Sequence, residues 1–97
     1  MGLNKKQRHY LRTLAHHRKP VVIIGSAGLT EAVLGEIENA LAHHELIKIR
    51  VNAGDRHLRK RMVGEIASRT GAELVQQIGH IASYYRPAEE RVIQFPA

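Results

Sequence analysis

Lys19-Pro-Val-Val-Ile-Ile-Gly-Ser-Ala-Gly-Leu-Thr30 joins an aliphatic run, Val21 to Ile24, to a helix-start signal at Thr30 through a Gly-x-x-Gly loop. A continuous β-branched run behind a proline reads as a short strand buried on both faces. Thr30 suits an N-cap, so the stretch is the opening half of a β-α-β unit. The two glycines let the backbone turn tightly and approach a ligand, and a helix start aims unpaired N–H groups at the same place. Gly25, Ser26, Ala27 and Gly28 are therefore candidates for contact with a phosphate. The loop is not a nucleotide-hydrolysing P-loop, because Leu29 and Thr30 stand where that motif requires a lysine, and the G-x-G-x-x-G spacing of dinucleotide sites is absent.

Upstream lies a concentration of charge. Lys5, Lys6, Arg8, Arg12, Arg18 and Lys19 fall in the first twenty residues with no acid among them, while nine basic residues balance nine acidic ones in the remainder. The net charge of +6 thus resides in one segment, the footprint expected of a polyanion-binding surface. Asn4 followed by Gln7 is a capping-box pattern opening a helix to about Ala15. At 100° per residue, Leu3, Gln7, Tyr10, Leu11 and Leu14 gather on one side, whereas Lys5, Arg8, His9, Arg12 and His16 gather on the other.

Downstream of the loop, Glu31 to about His43 is a helix that buries Val33, Leu34, Ile37, Ala40 and Leu41 and shows Glu31, Glu36 and Glu38 outward. Leu46 to Val51 alternates, with Ile47, Ile49 and Val51 on one face and Lys48 and Arg50 on the other: a strand. Asp55 is the expected N-cap of a third helix ending at Thr70, with Gly71 placed for a left-handed cap. Its core arc is Leu58, Met62, Val63 and Ile66. Arg56 and Lys60 flank that arc as a second basic patch, and Arg59 must snorkel out of it. Ala72 to Ile78 and Ile81 to Arg86 read as two strands joined at Gly79-His80. Tyr84 and Tyr85 point to opposite faces, leaving one for the core and one to stack on a base. Val92 to Phe95 fits either an edge strand or a segment that packs down.

The order is a helix followed by β-α-β-α-β-β. Two β-α-β crossovers require parallel strands and the closing hairpin makes the sheet mixed, which defines an α/β two-layer sandwich. Ninety-seven residues suffice for one domain, residues 1–97. With no cysteine there is neither a disulfide scaffold nor a thiolate metal site. No apolar run is long enough to span a bilayer and no secretory signal is visible, so the expectation is a soluble cytoplasmic protein, monomeric and without a membrane or small-molecule partner. The adjacent pairs His16-His17 and His43-His44 point about 100° apart on a helix and cannot share an ion. Neither a metal, a cofactor nor a catalytic constellation is indicated. A hydrolase acting on nucleic acid would need clustered carboxylates for a divalent metal, and none cluster. Nucleic-acid binding remains, with RNA as the first reading and a DNA-binding or nucleoid-type basic protein as the alternative.

Several segments resemble one family in order and spacing. Leu11-Arg-Thr-Leu-Ala-His16, Lys19 to Thr30, His44-Glu-Leu-Ile-Lys-Ile49, Thr70-Gly-Ala72, Ile78-Gly79 and Tyr85-Arg-Pro87 are similar to the bacterial YhbY family of stand-alone CRM (chloroplast RNA splicing and ribosome maturation) domains. The resemblance implies an RNA-binding domain acting in maturation of the large ribosomal subunit. It also implies a fold similar to the C-terminal domain of translation initiation factor three, a four-stranded sheet with one strand antiparallel to the rest. Carried onto this sequence, the RNA-contacting region is Gly25, Ser26, Ala27 and Gly28 with Arg18 and Lys19 just before the strand. Ser26 and Ala27 are uncharged, so cations must come from Lys5, Arg8 and Arg12 and from Arg56 and Lys60. The expected partner is ribosomal RNA in precursor large subunits.

Overall fold

The structure, a computed structural model, describes residues 2–96. Its elements are α1 (Lys5–His16), β1 (Pro20–Ile24), α2 (Glu31–His44), β2 (Leu46–Val51), α3 (Arg56–Thr70), β3 (Glu73–Ile78) and β4 (Ile81–Tyr85). Each helix begins where its cap residue stands. Asn4 Oδ1 accepts from Gln7 N at 2.8 Å while Asn4 N donates back to Gln7 Oε1 at 3.1 Å. Thr30 Oγ1 accepts from Val33 N at 3.2 Å, and Asp55 Oδ1 accepts from His57 N at 2.7 Å. Gly71 closes α3 in the left-handed conformation, φ 72°.

The sheet runs β1-β2-β4-β3, with β1 parallel to β2 and β4 antiparallel to both of its neighbours. β4 is thus inserted between two strands that share a direction, and its two faces serve two cores. On one face, Val22, Ile24, Ile47, Ile49, Val51, Ala82 and Tyr84 pack under Ile37 and Leu41 of α2 and Met62, Val63 and Ile66 of α3. This is the α/β two-layer sandwich. On the other face Leu46, Val75 and Tyr85 are covered by Leu11 and Ala15 of α1 and by Ile93. That second cover reaches one end of the sheet only.

Three expectations change as a result, and one alternative left open by the sequence is decided. β1 is an edge strand rather than one buried on both faces: Val22 and Ile24 face α2, while Val21 and Ile23 are 50% and 61% exposed. A continuous aliphatic run is compatible with either, since α1 must reach the strand to cover its second face and does not. Leu58 is 43% exposed, because the buried arc of α3 starts a turn later at Met62. Tyr85 is not free to stack on a base. It is buried under α1, with the Phe95 ring 5.7 Å away, and Tyr84 on the opposite face donates its hydroxyl to Val63 O at 2.7 Å. Burial pushes the phenols of both tyrosines above their ordinary pKa. Finally, Val92 to Phe95 forms no strand. It packs down, with Ile93 buried and Phe95 against Tyr10 and Tyr85.

One side chain anchors the backbone of the tail. Glu45, between α2 and β2, is fully buried, and its carboxylate accepts from Ala88 N at 2.7 Å, Val92 N at 3.0 Å and Ile93 N at 2.6 Å. Arg91 Nε adds a charge at 3.4 Å. Burial by itself raises the pKa of this acid, but the backbone donors of Ile93, Ala88 and Val92 together with Arg91 outweigh it and hold the carboxyl below its ordinary range. Glu45 also has φ 63°, a strained value for a residue with a Cβ, because one residue must turn the chain from the end of α2 into β2.

Candidate functional site

The Gly-x-x-Gly loop closes through Gly28 N to Gly25 O at 3.0 Å. Gly28 has φ 77°, and a Cβ there would lie 4.0 Å from Met62 Cε of α3. Gly25 lies outside the left-handed region and a Cβ on it would meet open space. The two glycines therefore differ: Gly28 serves the turn, whereas Gly25, Ser26 and Ala27 are exposed at its outer edge. One N–H of the α2 start is taken by Thr30, and its first residue, Glu31, is an exposed acid paired to Arg69 at 3.4 Å. The loop's capacity for a phosphate thus rests on its own backbone and on cations from elsewhere.

Those cations come from α3. Asn52 N donates to Ile24 O at 3.0 Å, and Val51 N to His80 O at 2.7 Å, so the loop, the Asn52–Asp55 turn and the Gly79-His80 turn share one end of the sheet. Beside them Arg56, His57, Arg59, Lys60, Gln77 and Gly79 line a groove of about 740 Å³. Arg59 reaches out of the apolar arc, as its position requires, and is fixed by Ala53 O at 3.2 Å. Arg56 and Lys60 are exposed and make no ion pair among the described residues. Asp55 neutralises the α3 N-terminus from within, so this groove attracts anions through side chains rather than through the helix dipole.

The N-terminal cations are disposed differently from the sequence expectation. Arg8 is not part of a free basic face: its guanidinium pairs with Glu73 and donates to Leu74 O at 2.9 Å, tying α1 to the β3 edge. Arg18 turns inward, Nη1 donating to Leu46 O at 2.5 Å. Lys5 and Lys19 are exposed, and Arg12 lies with His9, His16, Gln76 and Ile78 along the β3 edge. Nor do Arg18 and Lys19 adjoin the loop. β1 separates them from Gly25 by five strand residues, roughly 16 Å at ~3.3 Å per residue. The eleven positions named from the sequence thus fall into two groups at opposite ends of the sheet, with Arg8 serving the fold. Lys48 and Arg50, on the outer side of β2, lie between the groups; their alternation with Ile47, Ile49 and Val51 was visible in the sequence, but not that this face stays uncovered.

Most acids with an ion-pair partner are engaged by arginines outside the two groups. Glu65 pairs with Arg69, Glu38 with Arg86 at 2.8 Å and Glu45 with Arg91, whereas Glu31 directly follows the Thr30 cap, Asp55 adjoins Arg56, and Glu73 pairs with Arg8. Among the described residues no group of three or more His, Asp or Glu is placed to hold a metal ion, and no helix is long and apolar enough to cross a membrane.

A mixed sheet with one antiparallel strand, a Gly-x-x-Gly turn at its end and the cations of α3 beside it make up an α/β domain with a surface suited to a polyanion. The chain belongs to the CRS1/YhbY (CRM) domain family, whose model matches residues 3–86. It is 53% identical over 94 residues to an "RNA-binding protein" of Haemophilus influenzae, spanning 97% of this chain and 95% of that one. It is 41% identical over 86 residues to the "Probable RNA-binding protein PA4753" of Pseudomonas aeruginosa, covering 89% and 83% of the two chains. The solution structure of protein SAV1595 from Staphylococcus aureus, described as a candidate RNA-binding protein, superposes with a TM-score of 0.83 at 35% identity over 98% of this chain and 100% of its own. The family match ends at Arg86, so the tail that Glu45 holds lies beyond it.

Proposed function

We propose that this protein is a non-catalytic RNA-binding protein of the cytoplasm that associates with precursor large ribosomal subunits and favours correct folding of their RNA. The observation that carries the reading is the distribution of charge: Arg56 and Lys60 beside the Gly-x-x-Gly end of the sheet and Lys5 and Arg12 of α1 have no ion-pair partner among the described residues, while Glu31 and Glu38 of α2 are engaged by Arg69 and Arg86. Such a molecule binds a polyanion through phosphate contacts at these exposed cations. The names of the Haemophilus and Pseudomonas relatives support RNA as the polyanion. Phosphate contacts from Arg56, Lys60, Lys5, Arg12 and Lys19 supply affinity, and the backbone of Gly25, Ser26 and Ala27 sets register on the strand. Crosslinking in cells followed by sequencing of the attached RNA tests it. Reads should concentrate on precursor RNA of the large subunit; reads spread over messenger RNA, or recovery of DNA instead, would overturn the assignment.

A further inference from the structure

The sheet face beneath α1 is half bare, and the bare half is ordered. Strand register places Ile23, Arg50, Ile81 and Ile78 in one transverse row across all four strands. Ile23 is 61% and Ile78 67% exposed. The next row, toward α1, holds Lys48, Ser83 and Gln76, and between the rows and His16 lies a groove of about 220 Å³. Lys48 spends one N–H on Arg18 O at 3.1 Å and Arg50 spends Nε on Asn52 Oδ1 at 3.1 Å, so both keep donors with no partner among the described residues. The row bridges the two groups of cations that β1 separates.

We propose that this face is a second RNA contact, one that takes a short unpaired stretch: nucleobases pack on Ile23, Ile81 and Ile78 while Lys48 and Arg50 hold the flanking phosphates. The inference rests on the RNA-binding reading and adds a selectivity to it, since only unpaired bases can lie on the aliphatic row. Charge decides the occupant. The open rows carry two cations and no acid, so a second copy docked face to face would set Lys48 and Arg50 against their own equivalents. Packing against the flat face of a base is indifferent to base identity, because every base presents one.

The test uses the full chain, a single-stranded oligouridine of about ten nucleotides and an RNA duplex of the same length. Ile23 and Ile78 are exposed, so I23S/I78S should melt like the parent. It should bind the single strand roughly fivefold more weakly at every salt concentration, with duplex affinity and salt slope unchanged. R50Q should instead flatten the salt slope by about 0.7. Unchanged single-strand affinity in both variants, while R56Q/K60Q still weakens it, would remove this face and leave the RNA reading standing. No response in any of the three would remove the RNA reading itself. A dimer or an acidic protein complex abolished by I23S/I78S, with RNA affinity intact, would assign the face to protein and overturn the proposal.

Discussion

Glu45 shows how a single residue can couple a strained turn to a distant segment. Its carboxylate satisfies three backbone N–H groups of the tail, while a Cβ at φ 63° costs on the order of 1 kcal/mol or more. E45Q should destabilise the protein by about 2–4 kcal/mol in urea unfolding, because charge-assisted bonds disappear from a buried place. The folded carboxyl lies below its unfolded value of 4.5, so its contribution is fully present above that pH and is lost as pH falls through the lower, folded value. E45Q should therefore lose part of the parent's acid sensitivity, and an equally steep acid transition in the variant would refute the assignment. The glycines allow a second test at this scale. G28A must place a Cβ at φ 77° and should cost roughly 1–2 kcal/mol. G25A should leave stability nearly unchanged yet weaken RNA binding, if backbone approach at Gly25 sets the phosphate position. Equal stability loss in both variants would show that both glycines serve only the turn.

At the scale of elements, α1 contains two kinds of cation that periodicity alone cannot separate. Lys5 and Arg12 are unpaired among the described residues, whereas Arg8 bonds Glu73 and Leu74 across to β3. Replacing Lys5 and Arg12 by Gln should lower the salt slope of RNA binding by up to ~0.7–0.9 for each phosphate no longer neutralised, without change in melting temperature. R8Q should do the reverse, lowering stability by around 1 kcal/mol and leaving the slope alone, since the ion pair is half-exposed and its bond to a strand carbonyl is the larger loss. A slope that falls equally with R8Q would return Arg8 to the binding surface. α3 differs from α1 in that its basic half overhangs the core, which is why Leu58 is exposed beside Arg56 and Lys60.

For the whole molecule, cations exposed at both ends of the sheet predict salt-labile association with a large RNA particle. In lysate sedimented at low salt the protein should travel with precursor large subunits, and rising salt should release it, because condensed counterions compete for the phosphates. Deleting it should slow accumulation of mature large subunits, most visibly in the cold. Sedimentation with small subunits alone, or an unaltered large-subunit profile, would sink the assembly role.

The sequence by itself determined the elements and their order. Caps at Asn4, Thr30 and Asp55, the stop at Gly71 and the turn at Gly79-His80 act over a few residues, and local physics suffices to read them. The mixed α/β sandwich followed from that order. Tertiary structure alone decided what covers what. Inserting β4 between β2 and β3 buried both tyrosines, and α1 covered one end of its face and left Ile23 and Ile78 in solvent. It also drew Arg8 to Glu73, sixty-five residues away, and set Lys19 at the far end of β1 from the loop. These outcomes depend on long-range packing between segments that share no local pattern, so periodicity identifies the cations of this surface but cannot say which of them the fold consumes.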